Sequence, residues 1–173
     1  MQFNPDLNKP AQEISFSRKN IPNQQMDIFL DNKPIRKDTS TKHLGFILDN
    51  KLTFQEHLDQ KISIAYKGIG ILRRLGTFLP RKSLITIYKS FIRTHLDYCD
   101  VIYDKYNNIS FTDKIEKLQY DAALAITGCI RGTSREKLYN GLRLEYLSLR
   151  RWMRKLCLFH KIYSNQSPTY RSS

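Results

Sequence analysis

The stretch "KHLGFILDNKLTFQEH", residues 42–57, decides how the chain divides. Its apolar run predicts a short strand from Leu44 to Leu48, with Gly45 inside it. A strand glycine marks a bulge or a place where a backbone or a ligand comes close, and both readings stay open. The strand ends at Asp49-Asn50, a turn pair. Thr53 and Glu56 then form a T-x-x-E capping box, so a helix starts close behind. At this junction the apolar period changes from that of strands to that of helices.

Upstream, "EISFSRK" (13–19) alternates, with Ile14 and Phe16 on one face. "MDIFLDNKPIRK" (26–37) predicts a hairpin that turns at Asp31-Asn32-Lys33 and returns from Pro34-Ile35. Pro34 suits a strand start or an edge, where its missing N–H does no harm. With the strand at 44–48 these make a small antiparallel sheet, too small to bury both faces. Downstream, Phe54, Leu58, Ile62, Ala65, Ile69, Leu72 and Leu75 form one helical stripe that Gly76 can end. Gly68 and Gly70 inside it each cost about 1 kcal/mol against alanine, which close packing or a nearby ligand would explain. A second helix starts near Pro80, carries Leu84, Tyr88 and Phe91, and runs to about Thr94. A third is capped by Ser110 or Thr112, holds Ile115, Leu118, Ala122, Ala125 and Ile126, and ends at Gly128. A fourth follows a Thr133–Glu136 box. A fifth runs from about Ser148, with Leu149, Trp152, Met153, Leu156, Phe159 and Tyr163 as its inner face. Arg150, Arg151, Arg154, Lys155 and Lys161 lie on its outer face, either as a solvated surface or as a track for phosphates. The fold class is α+β: a small N-terminal antiparallel sheet followed by a mostly helical region.

The chain has 173 residues, 40% hydrophobic and 12% aromatic, enough for a real core. Its formal charge of +13 points to a polyanionic partner, nucleic acid before an acidic membrane surface. Residues 1–50 carry 7 Lys/Arg against 6 Asp/Glu, whereas residues 134–173 carry 9 against 2, so the C-terminal end is the basic one. Cys99, Cys129 and Cys157 form no C-x-x-C pair, which argues against a zinc site and a disulfide framework and fits a reducing compartment. His43, His57, His95 and His160 are scattered and read as structural or surface residues. No stretch reaches the apolar length of a membrane span, and no signal pattern opens the chain.

"LDYCDVIYD" (96–104) contains Tyr98-Cys99-Asp100, which on the surface resembles the Tyr-x-Asp-Asp of polymerases that copy RNA. That motif needs two adjacent carboxylates on a hairpin tip to share two metal ions about 4 Å apart. Here Val101 takes the place of the second aspartate, and the segment leaves a helix. No adjacent Asp-Asp, P-loop, nucleophile elbow or H-E-x-x-H occurs in the chain.

Four motifs in order carry a resemblance. "FNPDLNKPAQEISFSRK" (3–19) resembles the end of a polymerase palm. "KHLGFILDNKLTFQEHL" (42–58) resembles a primer-grip strand and its "LG-x-x-LD-x-x-L-x-x-x-x-H" exit, matching at Leu44, Gly45, Leu48, Asp49, Leu52 and His57. "IYKSFIRTHLDYCDVIYD" (87–104) and "IEKLQYDAALAITG" (115–128) resemble the helical segments that follow, the last matching at Gln119, Ala122, Ile126 and Gly128. Ala125 departs, since an arginine is usual there. Over nearly all of residues 1–170 the chain resembles the C-terminal part of a reverse transcriptase from a non-LTR (LINE-type, jockey-like) retrotransposon.

The resemblance implies three regions: a partial palm with the primer-grip-like strand over 1–52, a thumb-like helical region over 53–166, and a truncated tail over 167–173. It implies a fragment of an RNA-directed DNA polymerase that keeps primer and duplex-binding parts and lacks the catalytic aspartates. Met1 then reads as an internal methionine and "NQSPTYRSS" as a segment cut short. This chain alone is expected to be inactive and to need no cofactor, although the full-length family uses Mg²⁺. No catalytic residue is assigned. Lys9 matches a palm lysine that protonates leaving pyrophosphate, but its spacing from Asn4 is longer by two than the family's N-x-x-K, and a surface lysine is the alternative. Gly45, Arg73, Arg74, Arg150, Arg151, Arg154 and Lys155 are the candidate nucleic-acid contacts. The expected partner is a primer–template duplex or element RNA, with no membrane and no small-molecule substrate, inside the cell in nucleus or cytoplasm. A non-catalytic nucleic-acid-binding helical module and an inert remnant are the alternatives.

Overall fold

A computed structural model describes residues 12–16, 28–30, 33–103 and 109–164. The chain is α+β: small sheets come first and a mostly helical region follows. It divides into two units, Met1–Asp59 and Gln60–Ser173. The strands are β1 (Gln12–Glu13), β2 (Phe29–Leu30), β3 (Lys33–Pro34), β4 (Arg36–Lys37), β5 (Ser40–His43) and β6 (Phe46–Asp49). They form three separate pairs. β2 with β3 and β5 with β6 are antiparallel, while β1 with β4 is parallel.

The hairpin expected around residues 26–37 is present, with Phe29 opposite Pro34 and Leu30 opposite Lys33. Between Gln12 and Phe16 only Gln12–Glu13 is strand, and Phe16 is exposed, so the alternation at Ile14 and Phe16 builds no buried face. The expected strand 44–48 is corrected. Leu44 and Gly45 are the two-residue turn between β5 and β6, with φ of +48° and +80°. A two-residue hairpin loop whose twist matches its strands needs positive φ at both positions, and Gly45 supplies one at no steric cost. A Cβ at Gly45 would meet nothing within 4 Å, so no close approach within the chain requires the glycine.

Helix α1 spans Gln55–Leu75, α2 Arg81–Ile87, α3 Arg93–Asp97, α4 Asp100–Tyr103, α5 Ile109–Thr127, α6 Arg135–Leu142 and α7 Leu147–Tyr163. A π-helical turn, Tyr88–Ile92, joins α2 to α3. It explains a shift in the second helix. Leu84, Tyr88, Ile92 and Leu96 are buried at a strict spacing of four, and Phe91 is exposed. In a pure α-helix each step of four overshoots a turn by about 40°. The wider π turn takes up that drift and keeps the four on one side. Ala65, Ile69 and Leu72 of α1 pack in the core of the helical unit with Ile115, Leu118, Ala122 and Ile126 of α5. Gly68 earns its place there, since a Cβ would lie 2.7 Å from Ile92 Cγ1. Gly70 faces open space.

Both expected capping boxes are corrected. At α6 the cap position is Ser134, and the Thr133 hydroxyl donates to the Ile130 carbonyl at 2.8 Å instead. At α1 the Thr53 hydroxyl accepts only a long bond from the Gln55 N–H at 3.4 Å, and the Asp49 carboxylate from the preceding strand takes the N–H groups of Thr53 and Phe54 just ahead of the helix. Helix α5 starts at Ile109, ahead of the expected caps Ser110 and Thr112, and ends at Gly128 with φ of +71°.

Candidate nucleic-acid interface

The strand-to-helix joint is built around Asp49. Its carboxylate accepts the backbone N–H groups of Lys51, Thr53 and Phe54. Burial alone would raise this carboxyl, but the N–H groups of Thr53, Phe54 and Lys51 outweigh it and hold its pKa below the ordinary 3.8. Leu52 and Phe54 take positive φ, +53° and +58°, which side chains rarely adopt. Asp49 pins both. His57 closes the joint from the other side. It is fully buried, its Nδ1 accepts the Ile47 N–H at 3.3 Å, and its ring lies 4.1 Å from that of Phe46. The spacing of Gly45, Asp49 and His57 therefore sets the hairpin turn, the loop ahead of the helix and the lock on β6.

Helix α7 has its faces reversed relative to expectation. Arg151 is buried, and Arg150 and Arg154 are half-buried. Leu149, Trp152, Met153, Leu156, Phe159 and Tyr163 are exposed. The cause is a pair of carboxylates at the break between α3 and α4, where Tyr98 is extended and Cys99 has φ of +56°. Asp97 Oδ2 lies 3.3 Å from Arg150 Nε and 3.0 Å from an Arg154 terminal nitrogen, and Asp100 Oδ2 lies 2.8 Å from the other. Arg93 adds a looser contact to Asp97 at 3.6 Å. Arg151 and Arg154 also donate to the carbonyls of Leu96 and Asp97 at the end of α3, and the Leu96 carbonyl takes the Tyr103 hydroxyl at 2.7 Å as well. The Arg151 guanidinium stands over the rings of Tyr103 and Phe111 at 5.7 and 5.3 Å. Burial pushes the Asp100 carboxyl up against the pull of Arg154 and Arg151. Arg93, Arg150 and Arg154 thus meet two carboxylates, Arg151 is held by a carbonyl and two rings, and the three arginines of α7 are engaged inside the helical unit. Lys155 is half-buried beside them.

The other candidates, Arg73 and Arg74, are exposed in the last turn of α1. That helix end meets the end of α5, since a Cβ on Gly76 would lie 3.5 Å from the Ala125 carbonyl. The two adjoining loops bring further cations to the same end: Arg81 and Lys82 in the first turn of α2, and Arg131 after α5. All are exposed, and among the described residues none of the five is ion-paired. Residues 73–82 and 122–135 contain no Asp or Glu. Phe78 and Ile130 stand out from these loops, 83% and 82% exposed. Tyr120 fastens the second loop: its hydroxyl donates to the Thr133 carbonyl at 3.1 Å and accepts the Gly132 N–H at 3.0 Å. Arg131 was missed in the sequence because it lies far from Arg73 along the chain, and Arg81 and Lys82 because a turn and a helix start separate them from it. The acid-free runs on either side were the readable signal.

Lys9 lies outside the described residues. Among the described residues no group of three or more His, Cys, Asp or Glu could hold a metal ion, and no helix is long and apolar enough to cross a membrane. No family model, curated protein or solved structure matches the chain.

Proposed function

We propose that the chain is the duplex-holding part of an RNA-directed DNA polymerase of the non-LTR retrotransposon type, and that it binds nucleic acid without sequence preference. The observation that carries the binding is the basic end where α1 meets α5. Arg73, Arg74, Arg81, Lys82 and Arg131 are exposed there with no carboxylate partner among the described residues. Five unneutralised cations on adjoining loops suit a phosphate backbone, which rewards charge placement rather than base readout. The motif order at Gly45, Asp49, His57 and Gln119 supports the polymerase ancestry. This reading favours that end over α7, where Arg150 and Arg154 already have carboxylate partners and Arg151 donates to a buried carbonyl.

The test is a salt titration of binding to a 20-base-pair RNA–DNA duplex. If about three phosphates are neutralised, log K falls against log salt with a slope near −2 to −3. The variant R73Q/R74Q/R131Q brings that slope close to zero without changing the thermal midpoint. An unchanged slope in this variant refutes the site. No binding at about 50 mM salt refutes the function and leaves an inert remnant.

A further inference from the structure

The basic end also carries the two most exposed large apolar side chains among the described residues, Phe78 and Ile130. Phe78 stands in the chain between Arg73-Arg74 and Arg81-Lys82, and Ile130 is next to Arg131. Neither loop is slack. The N–H groups of Phe78 and Leu79 both donate to the Leu75 carbonyl, at 3.0 and 2.9 Å, and the Thr77 hydroxyl donates to the Arg74 carbonyl at 3.0 Å. The Ile130 carbonyl accepts the Thr133 hydroxyl at 2.8 Å, and Tyr120 fastens the residues that follow. Anchored turns thus hold two apolar tips out among cations, where they forgo the gain of burial. We propose that this end takes single-stranded nucleic acid in preference to duplex, with an unpaired base stacked on the ring of Phe78. The preference rests on the basic end being a nucleic-acid contact and adds the form of strand it selects.

The cations select a polyanion, and the ring selects among polyanions. A duplex shows phosphates and groove edges outward, while its base faces are already stacked on one another. A ring standing among cations gains nothing from those faces unless the stack is broken. An unpaired base offers a free face, and stacking it on an aromatic side chain raises affinity roughly 5- to 150-fold for any base. Arg73 and Arg74 on one side of Phe78, with Arg81 and Lys82 on the other, can hold the phosphates that flank the stacked base. Ile130 has no ring and borders the strand without stacking. A lipid surface would also meet cations and apolar tips. Two side chains bury less than a single acyl chain, however, and one acyl chain alone binds a membrane only marginally.

The full chain is titrated, by fluorescence anisotropy, with a labelled DNA strand of about 12 nucleotides, with the same strand lacking its bases, and with the blunt duplex of that sequence. The intact strand should bind at least about fivefold tighter than either of the others, the gain from one stacked base. F78A should bring the ratio of intact to abasic affinity close to one with the thermal midpoint unmoved, since the side chain is exposed. F78W should restore the ratio and F78L should not, which separates a π face from apolar bulk. Equal binding of intact and abasic strands, duplex bound as tightly as the intact strand, a ratio that F78A leaves as it was, or rescue by F78L overturns the proposal. Binding confined to phosphatidylserine–phosphatidylcholine vesicles overturns it too. Salt-dependent binding that R73Q/R74Q/R131Q removes, with intact and abasic strands equal, refutes the stacking and keeps the phosphate contact. No binding to any strand or duplex refutes both.

Discussion

Replacing Arg154 by glutamine tests whether α7 is held by its arginines. Arg154 makes three polar contacts: the Asp97 carboxylate at 3.0 Å, the Asp97 carbonyl at 2.9 Å and the Asp100 carboxylate at 2.8 Å. Removing one partner of a fully buried pair costs about 3–5 kcal/mol, because the other charge is left without compensation. The Asp100 side chain meets that condition at 3% exposure, while the Arg154 side chain is 33% exposed and is partly screened. The expected loss is therefore about 2–3 kcal/mol, or roughly 8–15 °C in the midpoint of the helical unit. The pH dependence has a definite sign. The folded pKa of Asp100 lies above the ordinary 3.8, with burial as the first cause. Proton binding at Asp100 thus favours the folded state, and the stability tied to it is lost as pH rises through the folded value. Without Arg154 that pKa goes higher still, so the deficit of the variant is largest at pH 7 and narrows toward pH 4. Calorimetry at both pH values measures it. In a double-mutant cycle R154Q and D100N should couple by about 1 kcal/mol or more. Additive losses and a deficit independent of pH would refute the buried pair as the anchor.

Three further outcomes follow from the joint and from α1. Asp49→Ala removes the acceptor of three backbone N–H groups and should cost about 1–2 kcal/mol, read by thermal melting; because the folded pKa of Asp49 is lowered, its contribution is present above about 3.8 and is lost as pH falls through the folded value. Leu44→Asn should stabilise by about 1 kcal/mol in urea unfolding, since asparagine tolerates the +48° φ better than leucine, while Gly45→Ala should destabilise by a similar amount. Gly70→Ala should stabilise by about 1 kcal/mol because its surroundings are open, whereas Gly68→Ala should lose stability against Ile92, and equal effects at the two positions would contradict the packing.

Much of the helical unit was legible because its apolar positions recur at helical spacing. Ala65, Ile69, Leu72, Leu84, Tyr88, Ile115, Leu118, Ala122 and Ile126 are buried as that spacing predicts. The turn at Leu44-Gly45 was harder. Only its second residue belongs to the usual turn chemistry, and Leu44 continues the apolar run, so two strands read as one. The π turn was visible only as the spacing of four from Leu84 to Leu96. The α7 reversal has a different cause. Periodicity shows that a helix has two unlike faces, but which one turns inward depends on what it meets. Here it meets the carboxylates of Asp97 and Asp100 and the carbonyls of Leu96 and Asp97 at the end of α3, whose demand for donors exceeds the pull of an apolar stripe toward the core. Two carboxylates either side of a helix break, with an acid-free basic helix downstream, were the signal in the sequence.

The motif residues and the cations do different kinds of work, and this decides where function should be tested. Gly45 turns the hairpin, Asp49 ties down the loop ahead of the helix, and His57 locks the helix to β6. Gln119, almost wholly buried, accepts from the Tyr88 hydroxyl at 2.9 Å and donates to the Glu145 carbonyl at 2.8 Å. Each of these is explained by folding alone, without a ligand. A variant at any of them would lose binding by loosening the scaffold, and its phenotype would be silent about contact. Arg73, Arg74, Arg81, Lys82 and Arg131 show the opposite pattern. They lie outside the motif residues and hold no carboxylate among the described residues, so the contacts of the fold give no account of why they gather at one end. Substitutions there leave stability nearly unchanged while changing the field that a phosphate backbone would feel. Binding lost with stability intact then assigns contact to the basic end, and binding lost with stability assigns only a scaffold.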